Sequence, residues 1–186
     1  MNGLYPGTVV EKNGRSAEEF LEGIFAVTRG VTLGQVREIT GLETPAIQNW
    51  TSRGWVQRPI EKRYGIDHVA RIIIISMLRD STKLENIAAI LRFINGEAGN
   101  KDDDIIPESR LYRYVCMILD TIDFDVVLSQ SELYKAVYDA TEDYEEPYKG
   151  ARERLVTGIE LILTYYAASL MKKRGDAIFE SCVQKS

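Results

Sequence analysis

Apolar side chains recur every three or four positions along most of the chain, with polar and charged residues between them. This spacing places them on one face of an α-helix, because an α-helix has about 3.6 residues per turn. The segments that show it are 16–29, 32–40, 44–53, 69–78, 82–95, 108–122, 129–140 and 147–175. The pattern therefore predicts a mainly α-helical protein.

Short local signals mark where several of these helices begin. A Ser or Thr followed three residues later by Glu or Gln forms a capping box, in which each side chain binds the other residue's backbone amide. Such pairs are Ser16 with Glu19, Thr32 with Gln35, Thr82 with Glu85 and Ser129 with Glu132. Pro147 predicts the start of the last helix, because proline suits a first turn, and Gly175 predicts its end.

Two of the short helices are neighbours in the sequence and are separated by Gly41. In the second of them, Ile47 and Trp50 are expected to face inward. Two short helices joined by a glycine turn are typical of a helix-turn-helix. The segment 55–64 that follows is basic and contains Pro59, which predicts an extended hairpin, or wing, rather than a helix.

The apolar run from Ile72 to Ile75 fits either a buried strand or a helix that is buried on all sides. Its flanks, 67–71 and 77–80, mix charged and apolar residues in a way that favours the buried helix.

Charge is distributed unevenly along the chain. The net charge is −5, yet the stretch from Arg53 to Lys83 holds seven basic and three acidic residues. Downstream, 97–146 is strongly acidic, with three consecutive aspartates at 102–104. A chain divided in this way is able to present a basic face to DNA while remaining acidic overall.

Composition excludes several classes of protein. With 186 residues and 45% hydrophobic content, the chain is able to bury a core, which argues against disorder. No apolar run reaches the length of a membrane span, and the N-terminus has no visible secretory signal, so we expect a cytoplasmic protein. Two cysteines and His68 are too few for a closed zinc site. Without a phosphate-binding glycine loop or a nucleophile motif, we expect no enzyme, no metal and no cofactor.

A family resemblance runs through the first half of the chain. Its motifs are Thr32-Leu33-Gly34-Gln35-Val36, Thr40-Gly41-Leu42, Gly54-Trp55-Val56 with Pro59, Arg63-Tyr64, Asp67-His68-Val69-Ala70-Arg71-Ile72, and Leu84-Glu85-Asn86-Ile87 followed by Ile90-Leu91. Their order resembles the DNA-binding domain of the MerR superfamily of bacterial transcription regulators. The stretch Ile47-Gln48-Asn49-Trp50 more closely resembles an uncharacterised bacterial domain family related to MerR.

The resemblance implies a winged helix-turn-helix that binds double-stranded DNA. Gln48 and Asn49 lie on the polar side of the second helix, and both residue types pair bidentately with adenine in the major groove. We expect these two residues to contact bases. The residues expected to contact the DNA backbone or to form the wing are Arg53, Arg58, Lys62, Arg63, Tyr64 and Arg71.

These patterns divide the chain into four parts. Residues 1–31 form an N-terminal segment with one bracing helix, and residues 32–96 form the MerR-like winged helix-turn-helix. An acidic linker is predicted at 97–104, followed by a C-terminal helical domain at 105–186. The long helix from Pro147 is the expected interface of a homodimer, and the whole is interpreted as a transcription regulator.

Two alternatives remain open from the sequence. The helix-turn-helix fold is also compatible with a protein-interaction module that binds no DNA, in which the acidic half would neutralise Arg58, Lys62 and Arg63. The chain would otherwise be a small-molecule sensor with an unknown effector, because tyrosines are frequent after residue 111 and aromatic residues with a polar tip line ligand pockets. The same tyrosines would equally fill a core.

Overall fold

A computed structural model describes residues 3–98, 100, 102–122 and 129–183 of the chain. Within these residues the protein is mainly helical and contains no extended strand, only isolated β-bridges. The helices are α1 (Ala17–Phe25), α2 (Leu33–Thr40), α3 (Thr44–Ser52), α4 (Ile66–Leu78), α5 (Leu84–Asn95), α6 (Glu108–Thr121), α7 (Gln130–Ala140) and α8 (Ala151–Val183). The predicted helical class is confirmed.

Capping boxes set the starts of α1, α2 and α7, as the sequence predicts. In each case the Ser or Thr hydroxyl accepts from the backbone amide three residues later. The Glu or Gln side chain at that later position accepts from the backbone amide of the Ser or Thr. The predicted box of Thr82 with Glu85 is wrong. The helix α5 begins at Leu84 after Lys83, and the Thr82 hydroxyl accepts instead from the Asn86 side chain at 3.0 Å.

The bounds of α8 also differ from the prediction. The helix begins at Ala151 rather than Pro147, because the Glu146 carboxylate accepts from the backbone amides of Gly150 and Arg152 at 3.1 and 3.2 Å. It continues through Gly175 to Val183. A glycine inside a helix lowers stability by only about 1 kcal/mol. A glycine that ends a helix has a left-handed backbone conformation, and Gly175 does not have one.

The central helix of the fold is α4, which is buried along most of its length. Its isoleucine run forms a helix, as the flanking residues indicated, and Ile72 to Ile75 are all buried. The helix packs against α6, and also against α2, α5 and α8. Because α6 and α8 belong to the half predicted to be a separate domain, the two halves share one continuous hydrophobic core.

The segment 97–104 between α5 and α6 is held at both ends, although Gly99 and Lys101 lie outside the described residues. The buried Asn95 side chain accepts from the amides of Ile105 and Ile106 at 3.2 Å and donates to the Ile106 carbonyl at 2.7 Å. The Asp103 carboxylate accepts from the Glu97 amide at 3.3 Å. These bonds join the ends of the acidic segment to the core.

The two cysteines differ in burial, and this gives a simple test of the core. Cys116 is buried, and burial raises the pKa of its thiol to about 12, whereas Cys182 is exposed. At pH 8 only about one Cys116 thiol in ten thousand is then the reactive thiolate. We expect a thiol reagent to modify one cysteine per native chain and two after unfolding in urea. Two fast native reactions, or one in a Cys182→Ser control, would contradict this burial.

Candidate nucleic-acid interface

The turn between α2 and α3 is built around a left-handed glycine. Gly41 ends α2 with a φ of 67° and donates its backbone amide to the Arg37 carbonyl at 2.7 Å. Leu42 then turns into the core, and Pro45 lies in the first turn of α3. The turn requires glycine at position 41, because a residue with a side chain is strained at such a φ and its Cβ would lie 2.8 Å from the Val9 side chain.

One side of α3 is anchored and the other is exposed. Ile47 and Trp50 are buried, as the sequence predicts, and hold the helix on the core. Gln48 and Asn49 are exposed on the opposite side. The helix therefore presents two amide side chains to solvent from a rigidly packed base.

A hairpin, residues 58–64, follows α3. Ile60 and Arg63 exchange both backbone hydrogen bonds, at 3.1 and 2.8 Å, so the turn between them has two residues. These residues, Glu61 and Lys62, have φ values of 49° and 62°. Left-handed φ at both central positions is the condition for a type I′ turn, which matches the twist of paired extended chains.

The base of the hairpin is tied to the segment before α2. Tyr64 and Val31 exchange backbone hydrogen bonds at 2.8 and 2.9 Å. A hairpin is thus present within the predicted segment 55–64, with its paired residues at Ile60 and Arg63. The hairpin, the start of α2 and the exposed side of α3 come together around one open groove.

This groove, which we call the cationic groove, has a volume of about 760 Å³. Its lining residues are Thr32, Leu33, Gly34, Gln48, Thr51, Ser52, Arg58, Pro59, Lys62 and Tyr64. Arg58 and Lys62 are exposed, and among these lining residues there is no carboxylate. The groove thus combines positive charge with hydroxyl and amide groups, which are the groups that bind phosphates and base edges.

Two further predicted contact residues are exposed beside the groove. Arg63 donates a guanidinium hydrogen bond to the Gly30 carbonyl at 3.1 Å. Arg53 lies over the Trp55 ring, 5.0 Å from its centroid, and is 3.5 Å from the Glu85 carboxylate. Both side chains are therefore partly engaged with the protein, while Arg58 and Lys62 form no ion pair with a described carboxylate.

Arg71 does not lie at this surface, and its prediction as a phosphate contact is wrong. Its side chain is only 5% exposed. It donates to the Trp55 carbonyl at 2.6 Å and to the Glu108 carboxylate at 2.6 Å. Arg71 therefore connects Trp55, which precedes the hairpin, with Glu108 at the start of α6. The apolar residues all around this part of α4 were a signal for its burial.

Tyr64 lies in the hairpin, which is one of its two predicted roles, but only 4% of its surface is exposed, so the predicted contact to the DNA backbone is wrong. Its ring packs edge-on against His68 at 6.2 Å, and burial raises the pKa of its hydroxyl. Tyr64 supports the floor of the groove instead. Sequence reasoning missed Thr51 and Ser52 on the groove wall, although their place on α3 next to Gln48 was visible.

One carboxylate of the acidic half, Asp143, is engaged away from the hairpin. Asp143 accepts from the Tyr114 hydroxyl at 2.6 Å and from Arg113 and Arg110 at 2.9 and 3.3 Å. The Tyr114 hydrogen bond, together with the two guanidinium groups, lowers the pKa of the Asp143 carboxyl. Its charge is thus matched by α6. Within the described ranges, no carboxylate forms an ion pair with Arg58, Lys62 or Arg63.

Three of the eight tyrosines after residue 111 are core residues, whereas Tyr134, Tyr138 and Tyr148 are exposed. Tyr112, Tyr114 and Tyr144 are buried, and each donates a hydrogen bond, to the Pro6 carbonyl, Asp143 and the Ile105 carbonyl respectively. An effector pocket lined by tyrosines stays a prediction.

The described residues lack two kinds of feature. They contain no cluster of three or more His, Cys, Asp or Glu placed to hold a metal ion. No helix in the described part of the chain has the length and apolar character needed to cross a membrane.

Comparison with known proteins identifies one family. Residues 22–115 match the model of a family described as a domain of unknown function (DUF1836). A similar curated protein is the uncharacterized protein YkrK of Bacillus subtilis (strain 168), with 31% identity over 96 residues. That alignment covers 50% of this chain and 41% of YkrK. No solved structure matches the chain.

Proposed function

This chain belongs to the DUF1836 family, whose match spans α2, α3, the hairpin, α4 and α5, and on that premise we propose that it binds double-stranded DNA. We propose further that it is sequence-specific and acts as a homodimeric transcription regulator in the cytoplasm. The observation that carries the proposal is the cationic groove beside the exposed side of α3.

The groove fits the way helix-turn-helix proteins divide their contacts. Phosphate contacts give affinity and orientation, whereas contacts to base edges give sequence choice. Arg58 and Lys62 on the hairpin supply the first kind. Gln48 and Asn49 on α3 supply the second, because their amides pair with adenine in the major groove. The order of helix, turn, exposed helix, hairpin and two further helices also supports a MerR-like winged helix-turn-helix.

The charge arrangement favours DNA binding over an interaction module in which the acidic half of the chain covers the hairpin. Such a module would need the acidic half to neutralise the hairpin cations. The Asp143 carboxylate binds Arg110 and Arg113 of α6 instead, and the hairpin is left open to an anionic partner. A polyanion with phosphates along both sides of a groove matches this surface.

Selection from a random pool of duplexes, followed by a salt titration, tests the proposal. We expect enrichment of one palindromic motif, with half-sites separated by roughly 34 Å or a multiple of it, as two recognition helices require. Affinity should fall steeply with salt, since each neutralised phosphate changes the slope of log K against log salt by about −0.9. Absence of binding at 50 mM salt would reject the proposal.

Asn49 should determine sequence preference rather than overall affinity. In the Asn49→Ala variant, we expect the preference for adenine at one position of each half-site to fall roughly 5- to 150-fold, the value of one bidentate contact. Binding to non-specific duplexes should stay within about twofold. The measurement is competition binding with a set of single-base operator variants.

Gln130→Ala, which removes an exposed amide on α7, is the control and should leave both properties unchanged. Equal preference profiles for Asn49→Ala and the wild type would exclude Asn49 from base contact.

A further inference from the structure

The second half of α8 is helical and exposed, and its printed contact with the body is an ion pair between Lys173 and Asp80 at 3.3 Å. Residues buried on this helix end at Ser169, and residues 171–183 are exposed throughout. An isolated helix of this length is marginal in water, because few backbone hydrogen bonds offset the cost of nucleation. A partner surface would explain why the helix continues so far.

The exposed side of α8 carries a heptad pattern. Counting along the helix, positions alternate by steps of three and four at Leu161, Thr164, Ala168, Met171, Gly175, Ile178 and Cys182. All of these residues are exposed, with Met171 at 45% and Ile178 at 57%. Alternating steps of three and four define the seam of a coiled coil.

This outer seam is separate from the side of α8 that builds the core. The inward side holds Leu155, Ile159 and Ile162, all of which are fully buried. A helix that is apolar on one side is explained by its packing on the body. A second stripe, made mostly of apolar and small residues, lies exposed on the opposite side.

We propose that this outer seam pairs with the same seam of a second copy of the chain, with the two helices antiparallel. The inference rests on the proposed function in that it supplies the homodimer through which two recognition helices would act. It names the surface and the register of that dimer.

Side-chain size favours one antiparallel register. With Met171 opposite the partner's Cys182, Gly175 comes to lie opposite Ile178, so each large residue meets a small one. An isoleucine then fills the space that glycine leaves, which is the condition for interdigitated packing. A parallel pair would place glycine opposite glycine and leave a void between the helices.

Charge points to the same register. In it Lys172 flanks Phe179 of the other copy and Arg174 flanks Ser181, so no like charges face each other. Shifting the pair by one heptad toward the body would bring Lys172 against Lys172 and Arg174 against Arg174. Such like-charge contacts are unfavourable, and they select against the shifted register.

The expected dimer is weak in isolation. The seam from Met171 to Cys182 spans about 17 Å of helix, which is small for a stable interface. We therefore expect dissociation in the micromolar range. Two linked half-sites on one duplex raise the effective concentration of the partner, so pairing is expected to strengthen on DNA.

Engineered disulfide formation tests the register directly. Met171→Cys places a thiol opposite the partner's Cys182, so mild oxidation of the full-length variant should give a covalent dimer on a non-reducing gel. The wild type should stay monomeric on that gel, because its two Cys182 residues lie at opposite ends of the seam. Glu180→Cys, at a position facing away from the seam, is the matched control and should cross-link at least tenfold less.

A wild-type Cys182 dimer would show a parallel pair and overturn the proposal. Equal cross-linking of Met171→Cys and Glu180→Cys, or none in Met171→Cys, would overturn it as well. A second variant, Ile178→Glu, should shift the sedimentation profile from dimer to monomer with an unchanged circular dichroism spectrum. An unchanged dimer fraction would again contradict the seam.

The two proposals fail in different ways. Cross-linking is measured without DNA, so a covalent Met171→Cys dimer that binds no duplex would retain the seam and reject DNA binding. Conversely, a wild type that binds single half-sites but never pairs through α8 would retain DNA binding and reject the seam.

Discussion

Reversing the two hairpin charges, in the double variant Arg58→Glu with Lys62→Glu, should weaken binding to every duplex by about 100-fold or more at physiological salt. Each substitution removes a cation from the cationic groove and places an anion where a phosphate would lie. The salt dependence should also become shallower, by about 1.8 in the slope of log K against log salt, the value for two lost phosphate contacts. Fluorescence anisotropy with labelled duplexes at several salt concentrations measures both quantities.

A matched control separates local contact from total charge. Lys135→Glu with Lys149→Glu changes the net charge by the same amount, at exposed positions in the C-terminal half. We expect this control to lose less than about threefold in affinity, since charges beyond a Debye length are screened. Equal losses in the two double variants would mean that the groove is not the DNA-binding surface.

Removing the buried Arg71 side chain should have the largest effect on stability. The Arg71→Ala variant leaves Glu108 buried without its cation and leaves the Trp55 carbonyl without its donor. Breaking one partner of a buried ion pair lowers the free energy of unfolding by about 3–5 kcal/mol. Urea denaturation followed by circular dichroism gives this value directly.

Arg79→Ala is the control for Arg71→Ala, because Arg79 caps the same helix but is half-exposed and lies 3.8 Å from Asp80. Exposed pairs contribute about 0–1 kcal/mol, so this variant should be nearly as stable as the wild type. Replacing both partners, with Arg71→Met and Glu108→Leu together, should recover much of the lost stability. If Arg71→Ala cost no more than Arg79→Ala, Arg71 would not be buried.

Local sequence signals predicted the parts of the fold that depend on neighbouring residues. The boxes at Ser16, Thr32 and Ser129 join residues three positions apart, and Gly41 ends a helix by its own backbone conformation. The inward positions of Ile47 and Trp50 follow from helical spacing alone. These features need no knowledge of the tertiary fold.

The errors lie where distant residues meet. Arg71 was assigned to the surface from its charge, but its partner Glu108 lies 37 residues away. The apolar residues on every side of α4 require that a charge among them be buried and paired, yet they do not identify the partner. The acidic composition of 97–104 likewise does not reveal the hydrogen bonds of Asn95, which join the end of this segment to the core.

Part of the candidate site could be predicted from the sequence, because several of its residues depend only on local structure. Gln48, Asn49, Arg58 and Lys62 lie on short local elements, and their exposure could be predicted from the pattern. Burial of Tyr64 depends on the pairing of its backbone with Val31, which lies outside the hairpin. The groove as a whole therefore required the structure.

The two residues at the hairpin tip have strained backbone conformations. Glu61 and Lys62 occupy left-handed backbone conformations that cost roughly 1–2 kcal/mol for a residue with a side chain, and that glycine or asparagine adopts more easily. Replacing both residues with glycine or asparagine would therefore be expected to stabilise the fold. The chain keeps Glu61 and Lys62 there despite the strain, so the exposed tip of the hairpin carries one acidic and one basic side chain.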